Sequence, residues 1–408
     1  MTSSDSRYSS HIAYSLLTEG NTDLDEFNLP ANDPRLITVN GHRYSYFPMW
    51  SALLLIPVVA LADNIYEPFF NSLPGLESKI RAVVGDKIAL SKPIKAYELY
   101  PVTDKLASSL LCAISVGLFS LLAYDTLRGR YFYLTIIIFA LGTSMWSTVS
   151  RAFWMHCPSV LMLVITLYFL LKGEQNSKYI AYVGATVALA FIFRPTNIVS
   201  VILITSYVAL AYRQHLFYYL LAALPFALLY VGYNESVFGN VFGNYTRIDR
   251  LGIHGQFYEA LLGNLVSPAR GLFVYSPIFV FSCIGLWLNR SRLLVQLLMA
   301  VIICHWLLIS TYSHWWAGHS YGPRFFSDML PFLSYGLILF LHQVSQMSKK
   351  VKIFMYAAAL CSVLINANGG LNKSAFMWNI IPVNIDDHPQ RLWDWSDPQF
   401  ARINNISI

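Results

Sequence analysis

The sequence predicts an all-α protein: a polytopic bundle of transmembrane helices with a large extracytoplasmic loop at its N-terminal end. Hydrophobic residues make up 56% of the 408 residues and charged residues only 12%, whereas a soluble domain carries about 25% charged residues. The mean hydropathy is +0.48. Aromatic residues reach 15%, which suits a protein anchored at two membrane interfaces. This composition excludes an ordinary soluble domain.

The second observation is a series of ten apolar segments that approach the roughly 17–25 residues a helix needs to cross a bilayer. They lie at about 104–125, 131–149, 155–171, 179–193, 195–212, 215–232, 271–289, 293–311, 326–342 and 351–367. We therefore expect three regions. These are a first extracytoplasmic loop with interfacial helices at 1–103, a transmembrane domain of about ten helices at 104–367, and an extracytoplasmic tail at 368–408.

The third observation is the distribution of basic residues among the short connections. Alternate connections each carry one to three Lys or Arg: TLRGR (126–130), LKGEQNSK (171–178), YRQH (212–215), NRSR (289–292) and SQMSKKVK (345–352). Because cytoplasmic loops are enriched in Lys and Arg, this set indicates the cytoplasmic face. The net charge of +6 is explained by these loops, and the chain contains no basic run or RNA-binding motif. We therefore expect no nucleic-acid partner.

The chain begins with a polar stretch, MTSSDSRYSSHIAYSLLTEGNTDLDEF. It has no basic flank followed by an apolar core, so it is neither a signal peptide nor a signal anchor. Counting spans back from the cytoplasmic loops places residues 1–103 outside, and we expect a further transmembrane helix upstream of Met1. The alternative makes PMWSALLLIPVVALA (48–62) a span and residues 1–47 cytoplasmic. At about fifteen residues, interrupted by Pro, that segment is better suited to lie on the membrane.

The outer face carries the candidate functional residues. Asp5 is a candidate base, because a positioned carboxylate commonly accepts the proton of an attacking hydroxyl; its alternative role is to cap a helix through YSSHIAYSLL. Tyr44 and Tyr46, in HRYSYFPMW (42–50), are typical of an aromatic belt or of a wall for a lipid-linked substrate. His156 and Arg194 each open a predicted span. The His156 imidazole is expected either to have a backbone or water partner or to donate a hydrogen bond to a phosphate. The Arg194 guanidinium is expected either to snorkel to the membrane surface or to bind an anion.

Two further stretches combine Arg with Gly and Pro where a span starts outside: SPARGLFVYSP (267–277) and WWAGHSYGPRFFSDMLPF (315–332). The guanidinium fork of Arg270 or Arg324 suits a phosphate, because it makes two hydrogen bonds at once. Trp315, Trp316 and Tyr321 offer flat faces for a substrate wall, or form an interfacial girdle. Ion-coupled transporters place ionisable groups near the midplane. Here the polar groups crowd the outer ends of the spans, which favours a site at the extracytoplasmic surface.

The order of these motifs resembles the C-type superfamily of integral membrane glycosyltransferases. It is nearest to bacterial proteins of the protein O-mannosyltransferase and lipid A aminoarabinose-transferase branches. The resemblance covers essentially the whole chain. Besides the outer-face motifs already quoted, it is carried by SDS…SLLTEGNTDLDEF (4–27), FWMHCPSVLML (153–163), FRPTN (193–197) and HPQRLWDWSDPQF (388–400).

The resemblance implies a helical membrane enzyme that uses polyprenyl-phosphate sugars, with Asp5 as catalytic base. It implies a polyprenyl-phosphate sugar donor and an extracytoplasmic lipid, glycan or protein acceptor. Arg324, with Arg270, Arg194 or His156, is then expected to bind the donor phosphate. Because Asp5 is single where many members carry paired acids, the resemblance leaves dependence on a divalent metal open. The expected location is the bacterial inner membrane, with an extracytoplasmic active face. The alternatives are a lipid or glycan transporter and a truncated, non-catalytic membrane protein.

Overall fold

The computed structural model describes residues 5–66, 72, 75, 78, 95–245 and 252–403. Part of the predicted first loop, including 79–94, and the last five residues of the tail lie outside the described residues. The described chain is 71% helical, which confirms the predicted all-α membrane class. Its helices are α1 Ser9–Thr18, α2 Ile56–Leu61, α3 Tyr100–Thr126, α4 Arg130–Leu141, α5 Ser144–Ser147, α6 His156–Gln175, α7 Ile180–Phe193, α8 Ile198–Ala211, α9 Leu216–Phe238, α10 Phe257–Val266, α11 Leu272–Tyr275, α12 Phe279–Leu288, α13 Leu293–Ser310, α14 Leu330–Gln343, α15 Lys349–Leu371 and α16 Lys373–Met377.

Six helical stretches of the described chain are long and apolar enough to cross a membrane, judged by length and composition. They are Ala96–Thr126, His156–Gln175, Arg213–Phe238, Leu293–Ser310, Arg324–Gln346 and Lys349–Leu371. Shorter apolar helices occupy Ile56–Ile65, Ser177–Phe193, Pro195–Ala211 and Phe279–Leu288. The predicted segments at 179–193 and 195–212 therefore fall on helices of 17 residues, at the lower limit for a span, and the segment at 271–289 contains the shorter helix Phe279–Leu288.

The apolar segment predicted at 131–149 contains two helices, α4 and α5. Helix α4 has only 12 residues and ends before Gly142, its C-cap residue. Thr143 then caps α5, because its side chain accepts a hydrogen bond from the N–H of Met145 at 3.2 Å. Glycine is a common residue at a helix end and threonine at a helix start. This pair divides a stretch that contains no charged residue.

The described residues form two compact units. The first unit comprises Met1–Leu111, Arg151–Pro158 and Leu229–Thr246, and the second Cys112–Ser150, Ser159–Leu228 and Arg247–Ile408. The candidate residues divide between them. Asp5, Tyr44, Tyr46 and His156 belong to the first unit, and Arg194, Arg270, Trp315, Trp316, Tyr321 and Arg324 to the second.

In the first unit, α1 packs against α2, and a short hairpin contains strands β1, Leu36–Val39, and β2, His42–Ser45. The strands pair antiparallel, with Ile37 opposite Tyr44. Asn40 and Gly41 form the turn, with φ of 53° and 88°. Both residues have the positive φ that the favoured two-residue hairpin turn requires. The hairpin thereby fixes the position of Tyr44.

In the second unit, α12 and α14 pack closely against each other. A Cβ atom added to Gly285 would lie 2.1 Å from the carbonyl oxygen of Gly336. Small residues at a helix interface let the two backbones approach, as is common between membrane helices. Helix α14 is buried along its length and begins directly after the stretch that contains Arg324.

Candidate functional site

Asp5 lies in the turn that leads into α1, and its side chain is half-buried. The next residue, Ser6, donates a hydrogen bond to one carboxylate oxygen of Asp104 at 3.0 Å. Ser10 donates to the other oxygen at 3.3 Å. Asp104 belongs to α3 and is 2% exposed. The buried carboxylate therefore fixes the turn that carries Asp5 against α3.

Two further acids and a histidine meet at the turn end of the hairpin. The potential ligand atoms of Asp23, Asp25 and His42 lie within 4.8 Å of one another, and His42 Nδ1 is 2.7 Å from Asp25. Burial raises the pKa of Asp25, but hydrogen bonds from the Arg43 N–H and the His42 ring outweigh it, so the pKa lies below its usual value. The guanidinium of Arg43 lies 3.9 Å from the same carboxylate and opposes a cation there. The cluster is an ion-paired surface group.

Tyr44 and Tyr46, predicted as a substrate wall, both line a recess of the first unit, which we call the aromatic recess. It encloses about 450 Å³ of space, part of it open to solvent, and nine of its seventeen lining residues are aromatic. Tyr46, Phe47 and Tyr245 form one group of rings, with centroids 5.5–5.8 Å apart. The ring centroids of Tyr44 and Phe238 lie 5.8 Å apart. These contacts hold the rings in fixed positions around the recess.

The turn after α9, at 239–245, forms one side of the aromatic recess. The Tyr230 hydroxyl donates to the carbonyl of Phe242 at 3.3 Å, and the Asn234 amide donates to the carbonyl of Val241 at 3.2 Å. Both donors belong to the last turns of α9. The helix therefore fixes the turn that follows it.

Replacing Gly243 by alanine is expected to destabilise the protein by at least about 1–2 kcal/mol, the cost of a left-handed conformation for a residue with a Cβ. Gly243 has φ +66°, and an added Cβ would lie 2.8 Å from Asn234 Oδ1. Gly239→Ala is the matched control, because Gly239 has φ +65° and nothing within 4 Å of the added atom. Unfolding by SDS in mixed micelles measures both changes. Equal losses of unfolding free energy would show that the Asn234 contact is unimportant.

His156 is the first residue of α6 and is 3% exposed. Its ring centroid lies 6.3 Å from that of Trp154. The structure therefore places this imidazole inside the first unit, at a helix N-terminus.

Arg194 forms a buried ion pair with Asp328; their side chains are 4% and 0% exposed. Ser159 donates to Asp328 Oδ1 at 2.6 Å, and Asn197 donates to Ser159 Oγ at 2.7 Å. The sequence predicted that Arg194 snorkels or meets an anion. Within the second unit, the anion it meets is a carboxylate of this chain.

Arg324 is half-buried and lies two positions after Gly322. Gly322 has a φ of +63°, which a glycine adopts readily. Its guanidinium carbon lies 5.8 Å from the ring centroid of Phe325, and that of Arg194 lies 5.7 Å from the same ring. Two of the predicted phosphate-binding arginines therefore meet at one aromatic ring of the second unit.

Arg270 is 1% exposed, and each of its five N–H donors makes a hydrogen bond of 2.7–3.0 Å. The acceptors are the carbonyls of Ala269, Trp316 and Gly318 and the side-chain oxygens of Asn379 and Gln399. Burial lowers the pKa of Arg270 to about 10, so the group stays protonated at neutral pH. Because its donors already have protein acceptors, Arg270 joins the 316–318 loop to the C-terminal tail.

The three aromatic residues predicted as a wall in the second unit lie in its core. Trp315, Trp316 and Tyr321 are 1%, 3% and 2% exposed. Trp316 donates its Nε1–H to Asp386 at 2.8 Å, and the Tyr321 hydroxyl donates to the carbonyl of Ile365 at 2.7 Å. These side chains pack the 315–332 stretch against the segments that contain Ile365 and Asp386. They do not present open faces to a substrate.

Comparison with solved structures finds a protein with a similar fold. No protein-family model matches the chain, and no curated protein matches it. A crystal structure of ArnT from Cupriavidus metallidurans in the apo state matches with a TM-score of 0.54 and 14% sequence identity. The match covers 93% of this chain and 60% of the ArnT chain. The chain shares the fold of ArnT.

The ArnT-like fold contains contacts that sequence reasoning did not find. Asn379 and Gln399 accept hydrogen bonds from Arg270 across 109 and 129 positions. The only sequence signal for Gln399 is its place in HPQRLWDWSDPQF (388–400), and Asn379 has none. Asp104 lies at the start of a predicted span, where its acidity alone does not reveal that it binds the turn of Asp5.

Proposed function

We propose that this protein is a C-type membrane glycosyltransferase that moves a sugar from a polyprenyl-phosphate donor to an extracytoplasmic acceptor. The observation that carries the proposal is the fold shared with ArnT, a C-type aminoarabinose transferase, over 93% of this chain. The chain spans 60% of the ArnT chain. We also propose that the protein lies in the bacterial inner membrane, with its active face outside the cytoplasm.

In the proposed reaction, an acceptor hydroxyl attacks the anomeric carbon of the donor sugar. The carboxylate of Asp5 accepts the hydroxyl proton as the new glycosidic bond forms. The bond between the anomeric carbon and the phosphate oxygen breaks on the opposite side, and polyprenyl phosphate leaves with the electron pair. The configuration at the anomeric carbon inverts. The half-buried turn held by Asp104 supports this role, because it gives Asp5 a defined position.

The leaving phosphate needs preorganised positive charge as its own negative charge develops. Arg324 is the strongest candidate, because it is half-buried and lies beside the same ring as Arg194. Arg194 adds positive charge but is held by Asp328, so we assign it a supporting role. His156 remains a proposed hydrogen-bond donor of the first unit. Arg270, whose five donors are used within the protein, is proposed as a scaffold.

Replacing Arg324 by lysine is expected to weaken donor binding by at least about tenfold, because one charge-assisted hydrogen bond contributes about 1.5–3 kcal/mol. Lysine keeps the charge but loses the planar fork that binds two phosphate oxygens. Arg290→Lys is the matched control, because Arg290 also lies over an aromatic ring, that of Trp287, at 4.4 Å. Equilibrium binding of a polyprenyl-phosphate sugar to protein in nanodiscs measures the change.

Two outcomes would contradict this assignment. Unchanged donor affinity in Arg324→Lys would remove Arg324 from the phosphate site. Movement of a labelled donor across proteoliposomes, without release of polyprenyl phosphate, would favour a transporter over a transferase.

A further inference from the structure

The aromatic recess of the first unit is lined by none of the residues proposed as the base or the phosphate site. Trp50 stacks on Tyr230 with ring centroids 6.1 Å apart and meets Tyr233 edge-on at 5.3 Å. The rings around the recess are therefore fixed by one another before any ligand arrives. A rigid aromatic surface binds at low entropic cost, because tyrosine and tryptophan have few torsions to immobilise.

The polar groups on the described lining residues of the recess are neutral. Among the described residues that line it there is no Lys, Arg, His, Asp or Glu, and the polar contributors are hydroxyls and amides. Tyr233 and Thr22 share a hydroxyl–hydroxyl hydrogen bond of 3.0 Å. Burial, with Asp23 and Asp25 nearby, raises the pKa of Tyr44, so its hydroxyl also stays neutral. A phosphate or carboxylate would find no compensating charge among the described lining residues, and burying an unpaired charge is costly.

The lining also argues against a polyprenyl chain. Ile12, Pro48 and Met49 are the only aliphatic side chains among the described lining residues. Tyrosines and amides would place polar groups against an all-hydrocarbon ligand, which cannot form hydrogen bonds. A sugar ring has the opposite character. It presents C–H faces to aromatic rings and hydroxyls at its edge to hydroxyl and amide partners.

We propose that the aromatic recess binds a neutral saccharide and serves as the acceptor-sugar subsite. Its saccharide chemistry follows from the lining alone, whereas its assignment to the acceptor rests on the proposed function. The rings of Tyr46 and Tyr245, 5.8 Å apart, provide faces for the sugar. Asn244, beside Tyr245 in the lining, provides an amide for its hydroxyls.

The test is saturation-transfer difference NMR on the full chain in nanodiscs, which avoids glycoside detergents. The probes are cellobiose, maltose and N,N′-diacetylchitobiose, with inorganic phosphate and farnesol as competitors. We expect saturation transfer to at least one disaccharide and no competition from either competitor. Tyr46→Leu and Tyr245→Leu are each expected to weaken binding by about three- to tenfold, the range that one aromatic contact supports. Tyr258→Leu is the control, because Tyr258 is 74% exposed and belongs to the second unit.

Three results would overturn the inference: no transfer to any disaccharide, equal transfer in folded Tyr46→Leu and Tyr245→Leu, or displacement of the sugar by farnesol. Two variants are used because one of them can fail to fold, which its thermal unfolding would reveal. Failure of the proposed function is distinguishable. If the recess binds sugar but release of polyprenyl phosphate is unaffected by Asp5→Asn, only the catalytic assignment fails. If Asp5→Asn is inactive but no sugar binds, only the recess assignment fails.

Discussion

Replacing Asp5 by asparagine is expected to lower sugar transfer by about 10²–10⁴-fold, the contribution that a general base typically makes. Asparagine keeps the size of the side chain but does not accept the proton of the acceptor hydroxyl. The turn is anchored through Ser6 to Asp104 at 3.0 Å, so the replacement is expected to leave the fold intact. The loss is therefore expected in the turnover number, with donor affinity unchanged. Release of polyprenyl phosphate at saturating donor measures it.

Asp63→Asn is the matched control for Asp5→Asn, because Asp63 is also a half-buried aspartate of the first unit. Its turnover is expected to equal that of the wild type. Wild-type turnover in Asp5→Asn would exclude Asp5 as the base. A fall in donor affinity without a fall in turnover would place Asp5 in binding.

The fold class could be predicted from sequence because lipid imposes a strong compositional constraint. A chain with 12% charged residues and repeated apolar segments has few alternatives to a helical membrane fold. Hydropathy does not report helix ends, however. The segment at 131–149 contains no charged residue, yet Gly142 and Thr143 end one helix and start another. Such breaks depend on caps that a hydropathy average does not detect.

The candidate site was less predictable, and the arginines show why. Arg270 and Arg324 look alike in sequence, because each lies close to Gly and Pro where a predicted span begins. What distinguishes them is burial: Arg270 is 1% exposed and has a protein acceptor for each of its five N–H donors, whereas Arg324 is half-buried. For Arg270 the deciding oxygens of Asn379 and Gln399 lie more than 100 positions away. Contacts at that separation depend on the fold as a whole, so local motifs do not reveal them.

Removing the partner of Arg194 is expected to be the most destabilising single change argued from this structure. Asp328→Ala would leave a buried guanidinium without its carboxylate, a type of change that costs about 3–5 kcal/mol. The pair is 4% and 0% exposed, so water cannot replace the lost charge. The substitution would also remove the acceptor of the Ser159 hydroxyl, now at 2.6 Å. SDS unfolding in mixed micelles measures the loss of unfolding free energy.

The double variant Arg194→Met with Asp328→Leu separates the cost of an unpaired charge from the value of the pair. Replacing a whole buried ion pair by apolar residues of similar volume is often neutral or stabilising. The double variant is therefore expected to be more stable than Asp328→Ala alone. The losses of unfolding free energy in Arg194→Met and in Asp328→Leu are measured separately. A double variant whose loss equals their sum would show that the two side chains act independently. If it is stable but binds donor several-fold more weakly, Arg194 contributes to the phosphate site as well as to the fold.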